Sequence, residues 1–258
     1  MWTHAKGRRF VAICPCLKLS INNVRHYLSA NLEVDILLEI QLLLLTFSTG
    51  VQDAVSYPDF KCFASNQTGN SVVLAVGLAG HDDSIFNLSD VGLSLGMFLA
   101  GAITTGQLAN TVGPRARMWL IFSHCAQTIL TFAAAIIHPA YCRYGTGPSA
   151  MGSLALLAFA SGAQVASMRP FRIQEITTAM ATAAWVDLVI DPGLLKLQNR
   201  SRNRRAGFLI ALVVGSFAGA FMRTGIGSSN ALFVSGAGKT LVTLLLFLNR
   251  EQPPVDQS

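Results

Sequence analysis

The chain has 258 residues, of which 52% are hydrophobic and only 12% are charged, and its formal net charge is +6. A soluble domain carries about a quarter charged residues, so this composition excludes an ordinary water-soluble enzyme and favours a membrane protein. The basic residues lie between apolar runs, where they set membrane topology, so the positive charge does not indicate nucleic-acid binding.

Long apolar runs follow a basic N-terminal arm, residues 1–35, which we predict to be cytosolic. Six runs are long enough, or nearly so, to cross about 30 Å of hydrocarbon as helices, which takes roughly 20 residues. They are residues 36–57, 91–112, 118–138, 150–168, 206–224 and 229–248. We predict an all-α, polytopic transmembrane helical bundle over residues 36–249, followed by a cytosolic tail at residues 250–258.

Two further apolar pieces, residues 71–80 and 176–190, are short and interrupted by polar residues. If both cross the membrane, the chain has eight spans, and its basic loops divide between the two sides. If both are broken or re-entrant helices, the chain has six full spans, and the loops at Arg115, Arg169 and residues 196–205 share the side of the N-terminal arm. Because cytosolic loops carry an excess of Lys and Arg, we favour six spans.

The six-span topology turns the acidic segment at residues 81–90 outward. Within it, Asn87-Leu88-Ser89 matches a glycosylation sequon. Asn87 is therefore a candidate glycosylation site, since sequons are used on the outward side of a membrane.

A weak internal repeat occurs with a spacing of 112 residues. Its shared positions are Gly50, Gln52, Ala54 and Pro58, which recur as Gly162, Gln164, Ala166 and Pro170. In each half this segment precedes an interrupted, Thr-containing piece and then two spans. With three crossings per half, the halves run in opposite directions, as in many secondary transporters, whose sites lie at the repeat interface. We predict two inverted repeats, at about residues 36–138 and 150–248.

The first span carries a polar stripe on an otherwise apolar helix. One helical face holds Thr46, Thr49, Asp53 and Ser56, with Glu39 near the inner end. A carboxylate at membrane depth is costly, so this face should point into the bundle or a wet cavity. Asp53, with its neighbour Gln52, is therefore a candidate cavity or substrate-binding residue. The alternative is an interhelical hydrogen bond that stabilises the bundle.

A polar segment follows this span and precedes the apolar piece at residues 71–80. Its candidate binding residues are Asn66, Thr68, Gly69 and Asn70. Amide and hydroxyl groups beside a glycine suit an unwound backbone that coordinates a small solute or ion, with a helix N-terminus facing any anionic group. The alternative is a capped turn at the membrane interface.

Three further candidate cavity residues lie elsewhere in the chain. Thr182 lies in the second interrupted piece, and Lys239 lies near the middle of the last span. The third is His124, which belongs to a polar stripe with helical spacing. The stripe also contains Gln127, Thr128 and Thr131. A central lysine must pair with an acid or lose its proton, and Asp53 is its candidate partner.

The motifs for cofactors, metals and catalysis are missing or incomplete. Residues 236–240 resemble a phosphate loop, but Phe233 replaces its first glycine and an apolar helix surrounds it. The five cysteines, among them Cys14, Cys16 and Cys142, do not have metal-ligand spacing. We predict no cofactor and no metal, and an enzyme that uses His124 is the third hypothesis.

Two ladders of small residues predict helix-packing faces, which also allow an oligomer. They are Gly92-x3-Gly96-x3-Ala100 and Ala211-x3-Gly215-x3-Gly219. Such ladders let two helix backbones approach closely, and they indicate nothing more specific about the partner helix.

Two motifs together resemble the YoaK-like family, a domain-of-unknown-function group of bacterial and fungal membrane proteins. They are Gly50-Val51-Gln52-Asp53-Ala54 and Asn66-Gln67-Thr68-Gly69-Asn70. The run from Thr46 to Ala54, followed by Phe60 and Phe63, is similar to the fungal branch. The resemblance covers most of residues 35–248. Its second-half motif is looser, since Met180-Ala181-Thr182 stands where many members have Thr-Gly-Thr. The resemblance implies a polytopic membrane protein and no established substrate.

The leading hypothesis is a small-molecule transporter or permease-like protein in a lipid bilayer, which moves a solute or ion. It places Asp53 and the break at residues 66–70 at a central cavity. It predicts that four residues converge on one hydrated cavity, namely Asp53, Asn66, Thr68 and Thr182. The alternative is a non-transporting membrane accessory or scaffold, whose basic loop at residues 196–205 docks a partner or anionic lipid.

Overall fold

The computed structural model describes residues 21–80, 87–138, 147–196 and 198–253. Within these ranges the regular elements are nine α-helices, and only isolated bridges pair extended residues. The helices are α1 Ile21–Ser29, α2 Ile36–Phe60, α3 Gln67–Leu78, α4 Leu88–Val112, α5 Arg117–Ile137, α6 Pro148–Met168, α7 Thr182–Val189, α8 Arg200–Ile226 and α9 Ser228–Leu245. Short 3-10 turns extend α6 to Phe171 and α9 to Leu248. The prediction of an all-α bundle is confirmed.

Six of these helices, α2, α4, α5, α6, α8 and α9, are long and apolar enough to cross a membrane. They coincide with the six predicted spans, and most ends differ by only a few residues. The largest difference is at α8, which begins at Arg200 and not near residue 206. Asn199 caps it by accepting from Arg202 N at 3.0 Å, so the polar first turns extend the helix beyond its apolar run.

One end of the bundle, here called the arginine-rich end, gathers the N-terminal segment and the basic loops. Leu32 N donates to Arg115 O at 3.0 Å, and the Arg115 guanidinium donates to Pro170 O at 2.7 Å. Arg204 pairs with Glu39 at 2.6 Å, which joins the start of α8 to the start of α2. The predicted clustering of basic loops on one side is therefore found. Its assignment to the cytosol stays a prediction.

The two interrupted apolar pieces form the short helices α3 and α7, which lie at opposite ends of the bundle. Helix α3 has 12 residues and α7 has eight, so at 1.5 Å per residue they extend about 18 Å and 12 Å, too short to cross. Helix α3 follows the end of α2 and precedes the start of α4, away from the arginine-rich end. Helix α7 lies between α6 and α8, at the arginine-rich end. The described residues therefore contain six helices long enough to cross, and α3 and α7 are not among them.

The two halves of the chain interlock, because α2 packs against α8 and α6 packs against α4. A Cβ atom added to Gly50 would lie 2.5 Å from Leu212 O, and one added to Gly162 would lie 2.0 Å from Phe98 O. Gly162 follows Gly50 by 112 residues, and Leu212 follows Phe98 by 114. Both crossings therefore use a glycine at the same position of their half to bring two backbones together.

The same crossings hold a second pair of matched contacts. A Cβ atom on Gly215 would lie 2.3 Å from Phe47 O, and one on Gly101 would lie 2.1 Å from Phe159 O. Phe159 again follows Phe47 by 112 residues, and Gly215 follows Gly101 by 114. Exchange of the two halves therefore converts the α2–α8 contact into the α6–α4 contact.

Of the two predicted small-residue ladders, one packs within the chain. Gly215 and Gly219 on α8 approach the backbone of α2. The prediction that the ladder on α4 packs against another helix is not met within the chain. A Cβ atom on Gly92 or Gly96 would meet nothing within 4 Å among the described residues. Helix α4 instead turns the opposite face, which carries Gly101, toward α6.

Some predictions fall outside the described residues. These are residues 1–20 of the N-terminal arm, residues 81–86 of the acidic segment, residues 254–258 of the tail, and Cys14, Cys16 and Cys142.

Candidate functional site

Asp53 lies late in α2 and holds the chain that follows that helix. Its carboxylate accepts from Ser65 N at 3.0 Å and from Ser65 Oγ at 2.5 Å. A pocket of about 370 Å³ opens beside it between α2 and α8, with aromatic walls at Tyr57, Phe63 and Phe217. Phe217 is exposed on the outer surface of the bundle. This pocket therefore opens on the outer surface of the bundle, beside α8.

The segment at residues 66–70 is the capped start of a helix and not an unwound break, which corrects the sequence-based expectation. Asn66 is the N-cap of α3, and α3 begins at Gln67. The Asn70 side chain is buried, accepts from Phe63 N at 3.0 Å and donates to Phe63 O at 2.7 Å. Asn66 and Thr68 are exposed, and Gly69 is partly exposed. An asparagine is a favoured N-cap, and the buried amide supplies the partners that the turn needs.

The pocket beside Asp53 has a counterpart in the other half. Its lining residues Ala54, Pro58, Ser216, Phe217 and Ala220 correspond to Ala166, Pro170, Ala102, Ile103 and Gly106, which line a pocket of about 390 Å³ between α6 and α4. The first pocket lies toward the end opposite the arginine-rich end, and the second lies near Arg169 at the arginine-rich end. The Asp53 pocket is thus one member of a matched pair, and not a central cavity.

The four residues expected to share one cavity do not converge. Thr182 is exposed and begins α7 at the arginine-rich end, whereas Asp53, Asn66 and Thr68 belong to the region of α3 at the opposite end. The reason is the orientation of the halves: because they run in opposite directions, the interrupted piece of each half lies at a different end of the bundle.

The expected ion pair between Asp53 and Lys239 is absent from the described residues. Asp53 is held by Ser65, whereas Lys239 is fully buried in the face of α9 that packs on α2 and α5. The sequence showed two isolated charges in apolar helices, and it did not show that Asp53 has a partner twelve residues further along its own chain.

A group of fully buried polar side chains occupies the interior of the bundle. Its members, here called the central polar cluster, are Gln52 of α2, His124 and Gln127 of α5, Gln164 of α6 and Lys239 of α9. Gln52 donates to Thr131 Oγ1 at 3.5 Å, and Gln127 donates to Ser123 Oγ at 3.0 Å. Four of the six spans thus contribute to one polar interior.

Lys239 faces the seam between α2 and α5. One turn before it, Ser235 Oγ donates to Ser48 O at 3.0 Å. One turn after it, Thr243 Oγ1 lies 3.4 Å from Thr128 Oγ1. His124 lies one turn from Thr128 on the same face of α5.

Several atoms of the central polar cluster are buried without a hydrogen-bond partner among the described residues. They are Lys239 Nζ, both ring nitrogens of His124, Gln127 Oε1 and Gln164 Oε1. An unpaired buried polar group costs about 1–3 kcal/mol, so native proteins usually satisfy such groups with water or a ligand.

Arg117 is a structural centre that the sequence patterns did not indicate. Its guanidinium is 1% exposed, lies 3.8 Å from the Tyr27 ring centroid, and donates to Asn249 O at 2.6 Å. It also pairs with Glu251 at 3.2 Å. Arg117 therefore ties the N-terminal segment and the C-terminal segment to the start of α5, and its basic-loop context alone carried no signal of that role.

A second unpredicted cluster lies at the opposite end. Asp59 in the last turn of α2 pairs with Arg223 of α8 at 2.6 Å and with His138 after α5 at 3.1 Å. Three spans are joined there by one carboxylate.

Asn87, the glycosylation candidate, is exposed and caps α4 at that same end of the bundle. Its Oδ1 accepts from Ser89 N at 3.2 Å, and its Nδ2 donates to Asp90 at 2.8 Å. Glycosylation at Asn87 stays a prediction.

The comparison with protein-family models identifies the family of this chain. Residues 41–245 match the family model described as a protein of unknown function, DUF1275. The YoaK-like proteins that the sequence resembles are DUF1275 proteins, so the resemblance is confirmed at the level of the family. No curated protein and no solved structure matches the chain.

Proposed function

The chain belongs to the DUF1275 family of unknown function, and from that premise we propose that it is a small-molecule transporter or permease-like protein. One observation carries the proposal: the central polar cluster has polar atoms without a partner among the described residues, inside a bundle of six helices long and apolar enough to cross a membrane. Lipid cannot satisfy these atoms, whereas water or a polar solute can. Polar side chains sheltered inside a membrane bundle commonly mark a solute or ion pathway.

The proposal includes two inverted repeats, at about residues 36–138 and 150–248. The matched crossings of α2 with α8 and of α6 with α4 support this division. Transporters built from inverted repeats place the solute where the repeats meet. Gln52 and Gln164, which occupy equivalent positions in the halves, lie there and are fully buried.

Within this proposal, the predicted site residues take two roles. Gln52, His124 and Lys239 contact the solute inside the bundle. The residues around α3, which are Asp53, Asn66, Thr68, Gly69 and Asn70, form the approach from one side of the membrane. Thr182 belongs to the corresponding approach at the arginine-rich end.

Reconstitution of the purified full chain into liposomes tests the proposal. Uptake of a panel of labelled ions, sugars, amino acids and carboxylates is compared with uptake by protein-free liposomes. We expect saturable uptake of at least one solute, and a loss of at least tenfold in Lys239→Met and in Gln52→Leu. Lys196→Met removes the same charge from an exposed position and should leave uptake unchanged.

Two results would contradict the transport proposal. The first is a folded, correctly inserted protein that moves none of the panel. The second is uptake that Lys239→Met and Gln52→Leu leave at the wild-type level.

The competing proposal is a non-transporting membrane accessory, and the arginine-rich end favours it. A pocket of about 670 Å³ there is lined by Arg200, Arg204 and Asn203 together with the apolar Ile36 and Leu43. Basic groups beside an apolar surface suit the headgroup and chain of an anionic lipid, or a docked partner. Co-purification of a stoichiometric partner, together with no flux, would support this function over transport.

Three finer assignments are proposed alongside the function. The arginine-rich end faces the cytosol, because positive loops are retained there. Copies of the chain associate through the open ladder at Gly92 and Gly96 on α4. The chain belongs to the fungal branch of its family, on the motifs around residues 46–54 and 66–70. Chemical cross-linking in native membranes tests the association.

A further inference from the structure

We propose that the central polar cluster binds a small anion, such as a halide, nitrate or short carboxylate, with Lys239 as its charged ligand. The cluster is then an anion site, and the substrate class of the transporter is anionic. The second statement rests on the proposed transport function, and the first does not.

The burial and environment of Lys239 carry the inference. Its side chain has an exposure of 0%, and Nζ has no hydrogen-bond partner among the described residues. It lies near the middle of the last membrane-spanning segment, Ser228–Leu248. A buried ammonium without a partner is unfavourable by several kcal/mol, so it requires either a counter-charge or the loss of its proton.

Every carboxylate of the six described spans is engaged away from Lys239. Glu39 pairs with Arg200 and Arg204, Asp53 accepts from Ser65, Asp59 pairs with Arg223 and His138, and Asp90 accepts from Asn87. The described part of the chain therefore supplies no counter-ion to the cluster, so Lys239, where it keeps its proton, takes its counter-charge from outside these residues.

Arg117 shows how this protein treats its other deeply buried cation. Its guanidinium is surrounded by Glu251, the Asn249 carbonyl and the Tyr27 ring. The protein thus provides an anionic or carbonyl partner where a buried cation serves only structure. Among the described residues Lys239 has no such partner, which distinguishes a ligand-binding cation from a structural one.

The unpaired nitrogens of the cluster suit an anion better than a cation. A bound metal cation needs carboxylate or several carbonyl ligands, and the cluster has no carboxylate. His124, whose two ring nitrogens have no hydrogen-bond partner among the described residues, can donate an N–H to an anion. The glutamine amide nitrogens already donate to Thr131, Ser123 and Thr49, so Lys239 and His124 are the donors left for an anion.

Thermal unfolding of the full chain in detergent tests the anion site without any transport assay. The protein is measured in sodium gluconate, and then in chloride, nitrate, formate and acetate at the same sodium concentration. A ligand that binds the folded state raises the Tm, and near saturation we expect a rise of about 4 °C or more for at least one anion. The rise should be lost in Lys239→Met and retained in Lys196→Met, the control with the same charge change.

Lys239→Arg keeps the charge with a different shape, so it should retain stabilisation by an anion and alter the order of preference among the four. If Lys239→Met does not fold, the wild-type salt series and Lys239→Arg still decide the question. The inference is overturned if no anion stabilises the wild-type chain beyond gluconate. It is equally overturned if Lys239→Met keeps the full rise, or if Lys239→Arg loses it while folding normally.

These results separate the anion site from the transport function. Stabilisation that depends on Lys239, in a protein without flux, leaves the anion site standing and removes the transporter. Flux of a neutral solute, in a protein that no anion stabilises, supports the transporter and rules out the anion site.

Discussion

Gln164 in α6 donates from Nε2 to Thr49 Oγ1 in α2 at 3.0 Å, within the interior of the bundle. A reciprocal contact joins Gln52 to Ser161, whose Oγ lies 3.5 Å from Gln52 Oε1. Gln164 follows Gln52 by 112 residues, and Ser161 follows Thr49 by the same interval. In each half the glutamine therefore contacts a hydroxyl of the other half. An approximate two-fold relation between α2 and α6 requires this pair of contacts.

The Thr49 contact should contribute measurably to stability. Thr49→Val keeps the side-chain shape but leaves Gln164 Nε2 without its acceptor, so we expect a loss of about 0.6 to 1.7 kcal/mol. For a chain of this size that lowers the Tm by roughly 2–5 °C, measured by thermal unfolding in detergent. The control is Thr104→Val, because that exposed hydroxyl also bonds to the carbonyl four residues earlier and has no interhelical partner. Equal shifts in the two variants would contradict the contact.

The crossing glycines predict an asymmetric response to alanine. In Gly162→Ala the new methyl group would lie 2.0 Å from Phe98 O, and in Gly50→Ala it would lie 2.5 Å from Leu212 O, so backbones must separate. We expect each to destabilise the bundle by about 1–3 kcal/mol. Gly96→Ala adds its methyl group to open space and should be neutral or stabilising, since alanine is the better helix former. If Gly96→Ala destabilised the protein and Gly162→Ala did not, the packed face of α4 would have been assigned to the wrong side of the helix.

The six spans were predictable because a bilayer imposes a length and an apolar composition that a sequence displays directly. The stripe that includes His124 and Thr131 was also visible, since helical spacing places these side chains on one face, and both are fully buried. The packed face of α4 was not predictable from its glycines. A small-residue ladder shows only that close approach is allowed, and Gly92 and Gly96 leave that possibility unused within the chain.

The partners of individual charges were the least predictable feature of the site. Asp53 binds Ser65 because the chain turns back after α2, and no periodic pattern describes such a turn. Arg117 contacts Tyr27 and Asn249, which are separated from it by 90 and 132 residues. Such contacts depend on how both ends of the chain return to the bundle. Sequence spacing locates a charge in a helix, but it does not say which distant segment meets it.

Arg117 should not tolerate lysine. The planar guanidinium reaches a carbonyl, a carboxylate and an aromatic face at once, whereas an ammonium cannot reproduce that geometry. We expect Arg117→Lys to lose about 2 kcal/mol or more, since hydrogen bonds to charged groups contribute roughly 1.5–3 kcal/mol. Arg250→Lys, at an exposed neighbouring position, is the control and should change the Tm little. Thermal unfolding of both variants under the same conditions decides between a structural anchor and a replaceable loop charge.

Cys62 should resist alkylation in the folded protein. Burial raises the pKa of the Cys62 thiol from 9.0 to about 12, with a smaller contribution from the Asp90 and Asp53 carboxylates. The thiolate is the reactive form, so at about pH 8 its population falls roughly a thousandfold, and burial also blocks access. Peptide mass spectrometry after N-ethylmaleimide treatment should find Cys62 unmodified in the native chain and modified after denaturation. Rapid native labelling would place Cys62 in contact with solvent.

The placement of α7 makes a topological prediction that separates six spans from eight. Thr182 and Lys196 are both exposed and flank α7 and its following turn, and with six spans both face the same side of the membrane. With eight spans α7 would cross the membrane and place them on opposite sides. Asn66, the exposed cap of α3, lies on the other side from Lys196 in either arrangement, so it reports the orientation of the vesicle.

Single Thr182→Cys, Lys196→Cys and Asn66→Cys variants are treated in sealed vesicles with a membrane-impermeant maleimide, and the labelled peptide is identified by mass spectrometry. We expect Thr182→Cys and Lys196→Cys to label together in vesicles of one orientation, and Asn66→Cys to label only in the opposite orientation. Labelling of Thr182→Cys together with Asn66→Cys would mean that α7 crosses the membrane. The halves would then each contain four crossings and run in the same direction, so the reciprocal contacts of Gln52 and Gln164 could not arise from an inverted repeat.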